Sequence, residues 1–309
     1  MNIRIIGETK LDFYGMRKIP YVISAALVAL GLFAVLMMSL GKANLGIQLT
    51  GGTMVEGYFE QPVDIAHVRE ALSQGGFEDV ELSQIAGRDE PYTFLIRLKI
   101  ESGEGARKAQ SVIDAIQKYI PGNTFHMDSV HEVGPAVGRD LKTQTRWAVL
   151  ISLLGILSYI SLRFDLRFGV GATIATFHDV LAVLGIFYLF DVEITILLIS
   201  AILTLAGYSL TDKVTVYDRI RENLKKFHRK ADFIPTVNRS INEVLSRTIM
   251  TGTTVLAVLA ILWFLGGTVL RDFAMALILG ILIGTYSSVF VASPIYVEWE
   301  TRRPKRYKG

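Results

Sequence analysis

The chain has 309 residues, of which 51% are hydrophobic and 20% charged, and its mean hydropathy is +0.40. That is too apolar for an ordinary soluble domain and leans to a membrane protein, while the absence of cysteine excludes a disulfide framework and a thiolate metal site. The formal charge of +3 is small, so the placement of the charges says more than their sum.

Residues 1–18 form a basic segment with Arg4, Lys10, Arg17 and Lys18. A bilayer core about 30 Å thick needs roughly 20 apolar residues in a helix. The charge-free run Ile19–Leu40 supplies a first span over residues 19–41. It is too long for a cleaved signal peptide, and no small-x-small site precedes Lys42, so an uncleaved signal anchor is expected.

Residues 42–145 are too polar to span and carry the pattern of a small α/β domain. Gly46–Phe59 alternates and predicts a strand. Asp64 is placed to N-cap a helix with Val68, Ala71 and Leu72 on one face, stopped by Gly75 and Gly76. Val80–Ile85 and Tyr92–Ile100 predict two strands, Ser102–Tyr119 an amphipathic helix ended by Pro121 and Gly122, and Thr124–Val133 a last strand. The order is βαββαβ, the ferredoxin-like pattern, and about 100 residues suffice for one modest core. His67, His126 and His131 lack metal-ligand spacing, so no metal is expected. Gly51 and Gly52 inside the first strand pattern mark a bulge or a close backbone approach. Gly134, Pro135 and Gly138, just before the second span, bend the chain there, as a hinge or as a simple loop.

Five further spans lie within residues 146–297: Trp147–Leu162, Phe168–Phe190, Ile194 to about Val216, Ile249–Leu265 and Phe273–Val297. The second and fifth of the six read as short. A basic loop at about 217–247 joins the fourth and fifth, and a basic tail occupies 298–309. In a six-span topology the N-terminal basic residues, Arg163 and Arg167, the loop from Arg219 to Arg239, and the tail all fall on one face, whereas the opposite short loops hold only Asp191, Glu193, Arg271 and Asp272. The asymmetry makes both termini cytoplasmic and the α/β domain external. Gly169, Gly171, Ala172, Gly280 and Gly284 let helices approach closely; Gly280 and Gly284 form a small-xxx-small motif suited to packing within the chain rather than to a homodimer seam.

Ionisable residues within spans are costly and therefore informative. His178 and Asp179 sit near the middle of the third span. Asp179 must be protonated, paired or wetted there, and the plain alternative to a functional role is a hydrogen-bonded polar pair between helices. Asp212 lies in the fourth span, on a stripe with Thr204, Tyr208 and Thr215. It reads either as a group that takes up and releases a proton or as a charge at the membrane interface. Arg247, just before the fifth span, keeps its charge; it could pair with a carboxylate in one state and release it in another, or serve as an ordinary positive-inside anchor.

No Walker A motif occurs, since Gly41-Lys42 lacks the upstream glycine, and there is no GxGxxG, HExxH, CxxC or GxSxG. No enzyme activity, metal, organic cofactor or nucleic-acid partner is therefore expected. Work must come from an ion gradient or a partner: one charge crossing about 100 mV supplies roughly 2.3 kcal/mol.

Motifs along the whole chain resemble the SecF branch of the SecD/SecF family. They are Leu49–Thr53 (LTGGT), Val133–Gly138 (VGPAVG), His178–Val180 (HDV), Gly207–Asp212 (GYSLTD), Val216–Asn223 (VYDRIREN), Leu245–Thr248 (LSRT) and Gly284–Ser288 (GTYSS). The resemblance implies half of an RND-type core, a six-helix transmembrane bundle with the periplasmic ferredoxin-like domain inserted between helices 1 and 2, in the bacterial inner membrane. It implies a complex with SecD, working with the SecYEG channel and the SecA motor on an unfolded preprotein, with H+ as the coupling ion. It also implies proton-path roles for Asp212 and Arg247, which match the family's aspartate in the fourth span and arginine at the start of the fifth. Two departures stand out. Gln48-Leu49 replaces the family's usual Asp-Phe, and Thr211-Asp212-Lys213 replaces a frequent Asn-Asp-Thr, so Lys213 is expected to pair with Asp212 or to snorkel to the cytoplasm. An RND-like small-molecule or lipid transporter and a passive membrane-assembly scaffold are the competing readings; the single six-span half argues against the first.

Overall fold

The structure, a computed structural model, describes residues 11–77, 80–85, 92–98, 105–163, 166–226 and 233–302. Arg4, Lys10, Arg229, Lys230 and the basic residues after Arg302 lie outside the described residues, as do the ends of two predicted elements at 99–100 and 102–104. Two compact units form: Leu45–Trp147, and the two flanking segments together.

Helix α1 spans Lys18–Ser39, entered through a 3-10 turn at Gly15–Arg17. Pro20 falls in its first turn, where a missing N–H leaves no helical bond unmade.

The inserted unit follows as α2 (Ile47–Thr50), β1 (Gly52–Phe59), α3 (Ile65–Gln74), β2 (Val80–Ile85), β3 (Thr93–Leu98), α4 (Gly105–Tyr119) and β4 (Phe125–Val133). Its four-stranded sheet has the order β2-β3-β1-β4, with every neighbouring pair antiparallel. Alternation along β1 and β3 turns Val55, Phe59, Phe94 and Ile96 to one side, where they meet Val68 and Leu72 of α3 and Val112 and Ile116 of α4 in one core. Asp64 caps α3 as expected, its Oδ1 accepting from the Ala66 N–H at 3.1 Å.

One predicted strand begins late. Residues from Ile47 to Thr50 form a helical turn, and β1 starts only at Gly52. Ile47 and Leu49 are both buried, which imitates strand alternation, but Gly51 has φ 77° and Gly52 φ 131°, conformations that glycine adopts without a Cβ clash. The chain is crowded there: a Cβ on Gly51 would lie 2.9 Å from Pro135 Cα, and one on Gly138 would lie 2.6 Å from the Gly51 nitrogen.

The rest of the chain is helical: α5 (Pro135–Arg163), α6 (Leu166–Leu189), α7 (Ile196–Lys226), α8 (Phe233–Leu265), α9 (Gly267–Ser287), a π-helical stretch at Ser288–Ala292, and α10 (Ser293–Arg302). Six helical stretches are long and apolar enough to cross a membrane, so the chain is a multi-pass helical membrane bundle with an inserted α/β domain. The second and fifth helices are not short. α5 has 29 residues and α8 has 33, because each continues in polar sequence before its apolar run.

The loop expected at about 217–247 is likewise largely helical, since α7 continues to Lys226 and α8 begins at Phe233. Polar contacts explain the extension. Arg219 pairs with Glu222 and Glu243, both at 2.7 Å, and the Asn223 amide donates to Ser240 Oγ at 3.0 Å across the two helices. The segment before α1 docks on the same region: Tyr14 N–H donates to Asn238 Oδ1 at 3.1 Å, and Tyr14 O–H to Glu298 Oε2 at 2.8 Å.

Small residues set the helix crossings. Gly280 of α9 lies against Leu205 of α7, and Gly284 against Ser209, so the small-xxx-small motif packs within the chain. Gly31 of α1 meets Gly185 of α6, where an added Cβ on Gly185 would lie 2.7 Å from the Gly31 nitrogen.

Candidate functional site

Helices α6, α7 and α9 bring a polar cluster into the middle of the bundle. Asp179 of α6 and Lys213 of α7 are both 0% exposed. Lys213 Nζ lies 2.7 Å from Asp179 Oδ2. The same oxygen accepts from Ser209 Oγ at 2.5 Å and from Ser287 Oγ at 2.9 Å. Its other oxygen, Oδ1, lies 2.9 Å from His178 Nδ1. A carboxylate oxygen only accepts, so Nδ1 carries the proton. His178 Nε2 is buried with no hydrogen-bond partner among the described residues.

Sequence spacing explains why these groups converge. Leu205, Ser209 and Lys213 recur every fourth residue and share one face of α7. Gly280 and Gly284 of α9 leave room for Leu205 and Ser209, which lets Ser209 and Ser287 reach the carboxylate between the helices. Directly after Ser287 comes the π-helical stretch, a local widening of the backbone that recurs at functional sites. Tyr217 of α7 donates to Ala292 O at its end, at 2.9 Å.

Asp212 has a different setting. It is 7% exposed and faces α9, where Thr285 Oγ1 donates to its Oδ2 at 3.4 Å, a long bond. Lys213 neither pairs with it nor snorkels to the surface. Successive side chains on a helix point about 100° apart, so Lys213 turns inward to Asp179 while Asp212 turns toward Thr285.

Arg247 is exposed, and no ion pair joins it to Asp212 among the described residues. It lines a pocket of about 380 Å³ with Thr215, Asp218, Arg219, Glu222 and Glu243. Thr215, part of that lining, lies about one helical turn beyond Asp212 on α7, and Asp212 itself does not line the pocket.

Gly134, Pro135 and Gly138 belong to the other unit, where Pro135 and Gly138 pack near Gly51 at the start of α5. Pro135 is the first residue of that helix, which runs unbroken to Arg163. Among the described residues no group of His, Asp and Glu is placed to hold a metal; His126 instead meets Glu60 at 2.7 Å.

His178, Asp179 and Asp212 are legible in the sequence, whereas Ser209, Thr285 and Ser287 are not, and Lys213 meets Asp179 in place of either expected alternative, Asp212 or the cytoplasmic surface. A signal was present. A buried carboxylate in the third span demands a cation, and Lys213 stands one turn from Ser209 in the fourth span.

Residues 112–302 match the family described as Protein export membrane protein SecD/SecF, C-terminal. The chain is 46% identical over 298 residues to the protein translocase subunit SecF of Thermodesulfovibrio yellowstonii, covering 95% of this chain and 96% of that one. It is 37% identical to the SecF of Vibrio alginolyticus, covering 94% of this chain and 92% of that one. It also superposes on the crystal structure of SecDF, a translocon-associated membrane protein from Thermus thermophilus, with a TM-score of 0.84 and 35% identity. That match covers 98% of this chain and 40% of the SecDF chain, so the chain spans well under half of that longer protein.

Proposed function

The chain belongs to the SecF protein-translocase subunits of the SecD/SecF family, and from that premise we propose that it is an auxiliary subunit of the Sec export machinery that turns proton flow into help for preproteins crossing the inner membrane. Its partner is a SecD chain, which the greater length of the SecDF relative supports. SecYEG, SecA and the emerging preprotein complete the assembly. Both termini are cytoplasmic, and the inserted unit is periplasmic. Its βαββαβ connectivity and the antiparallel order β2-β3-β1-β4 support a ferredoxin-like assignment.

One observation carries the proton reading: the contrast between two neighbouring carboxylates. Asp179 is matched by a lysine and by hydroxyl donors on every side. Asp212, also buried, has the long bond to Thr285, and no cation is paired with it among the described residues. An ionised carboxylate with so little compensation inside a bundle is costly, and a proton removes the cost. In this reading the polar pocket that Thr215 and Arg247 line is the approach for that proton, and the Arg247 guanidinium attracts the charge Asp212 leaves when it ionises. Gly134, Pro135 and Gly138 form the proposed hinge through which the protonation cycle moves the outer domain.

The test is Asp212→Asn, assayed for preprotein export in vesicles with and without an imposed pH gradient. The variant should fold and assemble, and lose the stimulation by the gradient. Equal stimulation with and without the carboxylate would leave a passive scaffold.

A further inference from the structure

We propose that the Lys213 ammonium is a tethered substitute for a metal cation: it fills an alkali-cation site built by Asp179, Ser209 and Ser287, and thereby makes ion coupling in this chain independent of sodium. The consequence for coupling rests on the function proposed above; the occupancy of the site does not.

The geometry is that of a small cation among hard oxygen donors. Nζ is 2.7 Å from Asp179 Oδ2, is hydrogen-bonded to Ser209 Oγ, and lies 3.4 Å from the Ser209 carbonyl oxygen. Ser287 Oγ converges on the same carboxylate oxygen from α9 at 2.9 Å. Carboxylate, hydroxyl and backbone carbonyl are the ligand types that hold hard metal cations. They come from three different helices, so the site sits at a helix junction rather than on one surface. Ser209 and Ser287 are 0% exposed, like the ion pair itself.

As a stability device alone the ion pair has little advantage, because apolar residues of the same volume often pack as well or better. What the arrangement supplies is a cationic group that is tethered to the chain beside Asp179 and cannot diffuse away. A diffusible metal ion entering the same space would have to displace a covalently attached charge. That leaves Asp212, one residue before Lys213, as the carboxylate still open to exchange.

The experiment follows the thermal unfolding of the full chain in detergent, in sodium chloride against choline chloride at equal ionic strength. The unaltered chain should unfold at the same temperature in both. Lys213→Thr removes the ammonium and leaves a hydroxyl in its place, which opens the oxygen cage. Its midpoint should rise by about 5 °C once sodium reaches ~100 times its dissociation constant, and the rise should saturate. Lys213→Met fills the volume without the charge and should not respond to sodium. Recovery of folded Lys213→Thr in sodium but not in choline supports the proposal equally. Saturable stabilisation of the unaltered chain by sodium overturns it, as does a Lys213→Thr chain that ignores sodium or folds in neither salt. None of these readouts involves export or pH, so failure here leaves the Asp212 reading intact, and failure of that reading leaves the cation site standing.

Discussion

The two units of this chain bury opposite things. The inserted unit hides Phe94, Ile96, Val112 and Ile116 in a dry apolar core and leaves residues such as Glu60 and His126 in contact with water. The membrane bundle turns Ile19, Val22, Leu162 and Val258 outward and hides Asp179, Lys213, Ser209 and Ser287. The surrounding solvent causes the inversion. In water, burying apolar area drives folding. In lipid that gain vanishes between helices, and association depends on close packing at small residues and on polar contacts that have nowhere else to go. Gly280 and Gly284 supply the first, and the Asp179 cluster supplies the second.

If that contrast is right, the most damaging single change lies in the polar core of the bundle. Asp179→Ala strands the Lys213 charge and should cost about 3–5 kcal/mol in unfolding of the full chain in detergent, whereas Asp179→Leu combined with Lys213→Met should recover most of it. A single variant as stable as the parent would mean that the cluster holds nothing together. A truncation in the apolar core of the other unit comes next. Leu72→Ala, at a side chain 1% exposed, should destabilise the inserted unit by about 3 kcal/mol, read as faster amide exchange in β1 and β3 with the membrane helices unaffected. Smallest is Asp64→Ala, which removes the cap on the Ala66 N–H and should cost about 1 kcal/mol by the same exchange measurement.

Legibility followed the range of the interactions. α3, its cap at Asp64 and the strand Val80–Ile85 were readable because each depends on neighbours in sequence. The turn at Ile47–Thr50 was misread because buried Ile47 and Leu49 share the spacing of a strand, and only the positive φ of Gly51 shows the break. α7 and α8 outran their apolar stretches because Arg219, Asn223, Ser240 and Glu243 support each other across a helical hairpin. Asp179 was recognised as needing a partner, but the partner is 34 residues away in sequence.

By itself the sequence determined that the chain crosses a membrane six times, where its α/β insertion lies, and which carboxylates sit too deep to be ordinary surface charges, because apolar length and charge placement act locally. Only the tertiary structure decided that Lys213 belongs to Asp179 rather than to adjacent Asp212. Two residues side by side on a helix face different neighbours, and which neighbours those are is set by the packing of α6 and α9 against α7.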